Sequence, residues 1–253
     1  MAAVFRHECR LLFSGLTAYV YGAFSLFFIA IYMMVYNLTS AYANFEYALA
    51  GASFAFIIMI PILTMRIISE EKKQKTDQLL YSLPVSTTQI VVGKFLAVFV
   101  TSLIPMCAVV FYPLILKNYG NLYLPTAYGA MFGYIMTAAV LFSIGIFISS
   151  ITESQAMAAG ICFGAMILNY YMVTVAEYAT SSAYGSLIAI VVVEIILALL
   201  IRNMTRNDVL AQGLGFVAVI GTVVLYIFRS EWFEGLFPSI LENISVYERF
   251  YQF

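Results

Sequence analysis

Residues 126–151 read TAYGAMFGYIMTAAVLFSIGIFISSI, 26 residues without a charged side chain. A hydrocarbon core about 30 Å thick is crossed by about 20 mostly apolar residues in a helix, and this run is longer than that. Six further stretches meet the same test: 16–36, 48–68, 91–116, 156–176, 184–201 and 209–228. Each is continuously apolar rather than alternating, so the expectation is about seven helices and no β-barrel. The fold class that follows is an all-α polytopic membrane protein, with residues 1–253 forming a single transmembrane domain.

Composition agrees. Hydrophobic residues make up 63% of the 253-residue chain and charged residues 10%, whereas soluble domains are about half apolar and one quarter charged. One domain of this size cannot hide such an excess in a core, so lipid is the solvent it faces. The net charge of −1 offers no basic field for nucleic acid. Cys9, Cys107 and Cys162 are scattered and His7 is the single histidine, which excludes a zinc site or disulfide framework by spacing. The first apolar stretch is too long for a signal-peptide core and follows charged residues, Glu8 among them, so it reads as a retained span.

Nine of the twelve Lys and Arg residues gather on one side: Arg6 and Arg10 in the N-terminal arm, five cations between Arg66 and Lys94, and Arg202 and Arg206 in a short loop. The positive-inside rule places that side, and the N-terminus, in the cytoplasm. Residues 229–253 then lie outside. There Trp232, Phe233, Leu236, Phe237, Ile240, Leu241, Tyr247, Phe250 and Tyr251 alternate with acids, as in a segment lying in the membrane interface, an anchor in preference to a lid.

The arm, residues 1–15, is amphipathic. Phe5, Cys9, Leu12 and Phe13 follow a helical period while Arg6, His7, Arg10 and Ser14 fall opposite, which predicts a helix along the inner membrane surface. Residues 66–86, RIISEEKKQKTDQLLYSLPVS, carry blocks of Glu and Lys, then a short apolar face, then a proline stop. Thr76 is a candidate N-cap with Asp77 near the positive helix end, and Leu79, Leu80 and Leu83 share a face that Pro84 closes. Composition leaves two readings of this segment open, a solvated loop dipping into the interface or a docking element for a soluble partner.

A resemblance decides between them. Residues 5–14 (FRHECRLLFS) with 18–20 (AYV), 61–66 (PILTMR), Glu70-Glu71-Lys72, Thr76, Leu79-Leu80, Pro84-Val85-Ser86, 90–97 (IVVGKFLA) and 149–155 (SSITESQ) resemble gliding-motility (Gld)-type, multidrug-export-like permeases of the ABC-2 type transporter superfamily. The likeness covers roughly the first 155 residues and weakens beyond, where spans six and seven look like an inserted pair. It implies a type V exporter-like transmembrane domain in which residues 1–15, with Phe5, Arg6, Arg10 and Phe13, form an elbow helix. Segment 66–90 would contain a coupling helix between spans two and three, with Glu70, Glu71, Thr76, Leu79, Leu80, Leu83 and Pro84 meeting an ATP-binding-cassette ATPase subunit. The resemblance also implies ATP and Mg on that partner and no cofactor on this chain, a second permease copy or paralogue, a Gld-type auxiliary extracytoplasmic protein, and the inner membrane of a prokaryote. Similar proteins continue past a segment like 245–250 into one more span.

No phosphate-loop pattern occurs, since Gly93-Lys94 is followed by Phe95, so ATP hydrolysis by that chemistry belongs to another chain. Glu194 lies in the middle of an apolar run and is equally a structural carboxyl or a pathway contact. Asn169 and Tyr170, with Tyr171, could line a pathway but fit better as polar glue between helices. Pro61, Pro105 and Pro113 should kink spans two and three. A membrane-embedded enzyme would need clustered His, Asp or Glu within the spans, which this chain lacks. The alternative from another class is a passive channel or scaffold without ATPase coupling. An amphiphile, peptide or drug-like cargo moved outward is favoured over an inorganic ion.

Overall fold

The computed structural model describes residues 2–42, 44–76, 86–118, 120–179, 182–205 and 208–247. Every regular element among them is helical. Four helical runs are long and apolar enough to cross a membrane: Thr17–Thr39, Glu46–Gln74, Thr87–Lys117 and Leu124–Ile151. Two broken pairs, Gln155–Tyr170 with Met172–Tyr178 and Gln212–Phe228 with Ser230–Ile244, raise the number to six if each counts as one span. The expected span at 184–201 is a helix whose apolar described part, Ala183–Leu199, stops just short of that length. The described residues form two compact units that meet in sequence between Tyr170 and Tyr171.

The first unit begins with α1 (Ala2–Ser14) and α2 (Thr17–Met33), which runs on as a π-turn, Met34–Thr39. The second span is segmented: α3 (Glu46–Ala52), a 3₁₀ turn (Ser53–Ala55) and α4 (Phe56–Thr64), followed by the short α5 (Ser69–Gln74). Then come α6 (Thr87–Val109), α7 (Phe111–Lys117), α8 (Leu124–Ile151) and α9 (Gln155–Tyr170). The second span is the hub. Phe45, Ala48, Leu49, Ala52, Ala55, Phe56, Ile60 and Leu63 are completely enclosed, while α2 turns Phe27 and Leu38 outward.

Small residues make this packing possible, as expected where lipid supplies no hydrophobic drive between helices. A Cβ on Gly145 of α8 would stand 2.4 Å from Thr64 Oγ1 of α4, so glycine lets those backbones close up. The hydroxyls facing this core bond back to their own helices: Thr64 to Ile60 O at 2.8 Å and Thr101 to Ala97 O at 2.7 Å. Span three breaks between Val109 and Phe111, four residues ahead of Pro113, where the proline ring meets the carbonyl of Val109. Pro61 and Pro105 stay inside helices.

The second unit holds α10 (Met172–Tyr178), α11 (Ala183–Thr205), α12 (Asp208–Phe228), a 3₁₀ turn (Ser230–Phe233) and α13 (Leu236–Ile244). α11 and α12 are an antiparallel pair. Gly215 faces Ala198, where an added Cβ would come within 2.8 Å. On either side of Glu194, Val192, Val193, Ile195, Ile196 and Leu197 are all exposed, which only an apolar solvent tolerates. After Phe228 the chain folds back by 117°. There Tyr226 meets Phe233 edge-on, the Arg229 guanidinium covers Trp232 at 5.0 Å, and α13 packs on α10 and α11. Of the interface aromatics expected from the sequence, Trp232 is exposed and Phe233 and Tyr247 are buried; Phe250 and Tyr251 lie outside the described residues.

Candidate functional site

Ser86 starts α6 by accepting the Gln89 N–H on its hydroxyl at 3.3 Å. One side of the helix, Ile90, Gly93, Lys94, Ala97, Val98 and Thr101, is buried. Gly93 seats α1 there, since a Cβ at that position would lie 3.1 Å from Val4. The inward stripe of α1 contains Leu12 and, one turn earlier, Glu8.

That geometry buries Lys94 and Glu8 together and half-buries Glu71 beside them. Lys94, 1% exposed, donates to Glu8 Oε1 at 2.7 Å, to Glu71 Oε1 of α5 at 2.6 Å and to Ile67 O at 3.0 Å. An ammonium has three N–H donors, so all three are satisfied. At an effective dielectric near 20, a unit charge pair at this spacing attracts by roughly 6 kcal/mol, and desolvation of the ions offsets much of it.

A second set of contacts fixes the root of the same segment to the end of α8. Ser149 Oγ accepts from Ile68 N and Ser69 N, each at 3.2 Å, and donates to Met65 O at 3.3 Å. Lys72 reaches the carbonyl of Ser150, and the Ser69 hydroxyl bonds Met65 O. The segment that leaves span two is thus tied to α1, α6 and α8 within one helical turn. α5 ends at Lys75 in the left-handed region, with Thr76 N on Glu71 O at 3.0 Å.

The residues singled out from sequence divide unevenly. Glu71 is in the knot. Glu70 is at the surface, paired loosely with Arg66 at 3.7 Å, a contact worth little in water. The Thr76 hydroxyl donates to Glu71 O at the end of α5, and the turn it was expected to cap lies outside the described residues. Leu79, Leu80, Leu83 and Pro84 lie outside the described residues. In α1, Arg6 and Arg10 are exposed and Phe5 and Phe13 half-buried, Phe13 lying edge-on to Tyr19. Asn169 is buried and Tyr170 packs edge-on against Phe54 at 5.3 Å. In the second unit Thr222 donates to Glu194 Oε1 at 2.6 Å, and Oε2 is enclosed without a partner among the described residues. One turn from them, a groove of about 350 Å³ is lined by Ile195, Ala198, Leu199, Phe216 and Val219, with Arg202 at its edge.

Two members of the knot escaped the sequence reading. Lys94 falls within the span read at 91–116 but was grouped with the cytoplasmic cations and not seen as buried; its place on the stripe Ile90-Gly93-Lys94-Ala97 was the available signal. Glu8 was read only as a charge ahead of the first span, although it stands between Phe5 and Leu12 on the apolar side of α1. Among the described residues no three His, Cys, Asp or Glu side chains gather to hold a metal.

A scan against family models matches residues 28–205, more than two thirds of the chain, to the ABC-2 family transporter protein. The chain belongs to that family. No curated protein and no solved structure matches it. ABC-2 membership makes the chain a multi-pass membrane protein and a permease subunit of an ABC transporter, a transport component rather than a catalytic one. The ABC-2 match runs to the end of α11, about fifty residues beyond the likeness read from sequence. It contains Glu71 and Lys94 and begins after α1, so Glu8 lies outside it.

Proposed function

We propose that the chain forms the transport pathway of an ATP-driven exporter and takes its drive from a separate ATP-binding subunit docked on residues 66–90. ATP and Mg²⁺ would be held by that subunit. The N-terminus and segment 66–90 would face the cytoplasm of a prokaryote, with the protein in its inner membrane and α1 acting as the elbow helix. A second copy or paralogue would complete the pathway, a Gld-type auxiliary protein would stand outside, and the cargo would be an amphiphile, peptide or drug-like molecule.

One observation carries this reading: the root of segment 66–90 is bonded through Glu71, Lys72 and Ser69 to α1, α6 and α8. A motion can be passed into spans only through packed, discrete contacts, and an ordinary solvated loop would have no use for a buried lysine at its base. The test co-expresses the chain with the ATP-binding subunit encoded beside it, with Leu79, Leu80 and Leu83 replaced by Asp as the control. The expected result is co-purification with the intact chain and its loss in the variant, with membrane insertion preserved. Failure of the intact chains to associate would leave a passive channel or scaffold in its place. ATP-dependent movement of cargo in inside-out vesicles sets the direction.

A further inference from the structure

Two carboxylates share one ammonium in the knot. Lys94 with Glu71 alone would be neutral, and Ile67 O would still hold another N–H. Glu8 is therefore unnecessary for charge balance. Yet its side chain is only 9% exposed, and it contacts the same ammonium as Glu71, 2.7 Å against 2.6 Å. A second buried carboxylate beside the first is unfavourable through both desolvation and like-charge repulsion. Static stability does not account for Glu8.

Motion does. Were α5 to move off with Glu71, a lone Lys94 would become an uncompensated buried cation, a state costly enough to hold α5 shut. With Glu8 in place, Lys94 keeps a full counter-charge at 2.7 Å whether Glu71 is present or absent. The geometry points to Glu8 as the standing counter-ion of Lys94, the group that makes the Glu71–Lys94 contact a latch able to open and close during transport.

The two carboxylates differ in the way this requires. Glu71 has a side chain 23% exposed, on the six-residue helix α5 within segment 66–90. Glu8 belongs to a 13-residue helix seated over Gly93. Ser149, bonded to Ile68 N and Ser69 N, supplies the pivot, and the long side chain of Lys72 can follow while α5 swings. Glu8 is thus a positioning residue, acting through Lys94. The inference rests on the proposed coupling role of segment 66–90.

The first arm of the test uses the chain alone in lipid nanodiscs and needs no ATPase. Thermal unfolding is measured for Glu8→Gln, Glu71→Gln and the double variant. Glu8→Gln should melt at or above the wild-type temperature, Glu71→Gln slightly below it, and the double variant lower than the two single shifts together, because only there is Lys94 stranded. Additive shifts would overturn the proposal. The second arm adds the ATP-binding subunit. Glu8→Gln should co-purify normally yet lose about tenfold in permease-stimulated ATP turnover, and Glu8→Asp should restore it. Wild-type turnover in Glu8→Gln, or a loss of turnover in step with a loss of thermal stability, would also overturn it. If the wild-type chains fail to associate, the coupling reading falls, and the melting cycle still decides whether Glu8 stands in for Glu71.

Discussion

Replacing Lys94 by Met is the sharpest test of the knot as a structural object. The methionine fills most of the volume of the lysine stem and removes the charge, leaving Glu8 and Glu71 facing each other with side chains 9% and 23% exposed. Removing one partner of a buried ion pair costs about 3–5 kcal/mol. For a chain of this size each kcal/mol moves the melting temperature by about 2–4 °C, so the expected drop is about 6–20 °C. The assay follows a thiol-reactive dye on heating in a background with the accessible Cys9 and Cys107 replaced by Ser, because Cys162 is 1% exposed and becomes available when α9 leaves α4. The companion is the triple variant Glu8→Gln, Glu71→Gln, Lys94→Met, in which no charge remains to be desolvated. Replacing a whole buried charge cluster by neutral groups of similar size is often neutral or stabilising, so the triple variant should recover most of the loss. A single variant that melts within about 1 °C of wild type, or a triple variant as unstable as the single, would refute the reasoning.

Two other outcomes are expected. Gly145→Ala should lower stability by about 1–3 kcal/mol, because its Cβ meets Thr64 Oγ1 at 2.4 Å, and adding Thr64→Ala should recover part of that in the same melting assay. Thr222→Val strands an oxygen of Glu194 and should cost about 1–3 kcal/mol, more than Glu194→Gln, which keeps an acceptor for the hydroxyl.

How much was legible beforehand follows from what kind of information each feature needs. The spans at 16–36, 48–68, 91–116 and 126–151 correspond to helical runs because crossing lipid is a local requirement: each segment must satisfy its own backbone and be apolar over a fixed length. The break before Pro113 follows from covalent geometry, also local. Family membership was legible for the same reason, as ordered short motifs along one stretch.

The candidate site was half legible. Glu71 was named by resemblance, but Lys94 stands 23 positions after it and Glu8 63 positions before it, and Ser149, on the end of span four, reaches Ser69 N from 80 positions away. The place of Glu8 on the apolar side of α1 is visible locally, but the lysine of another helix that it meets there is not. What the sequence by itself determined was the solvent, the helices that answer to it and the family, because these depend on composition and spacing within single segments. Which charges are buried together, and hence which residues could form a latch, was decided only when Gly93 let α1 close on α6, because an ion pair's meaning depends on the dielectric around it and on partners the chain brings from afar.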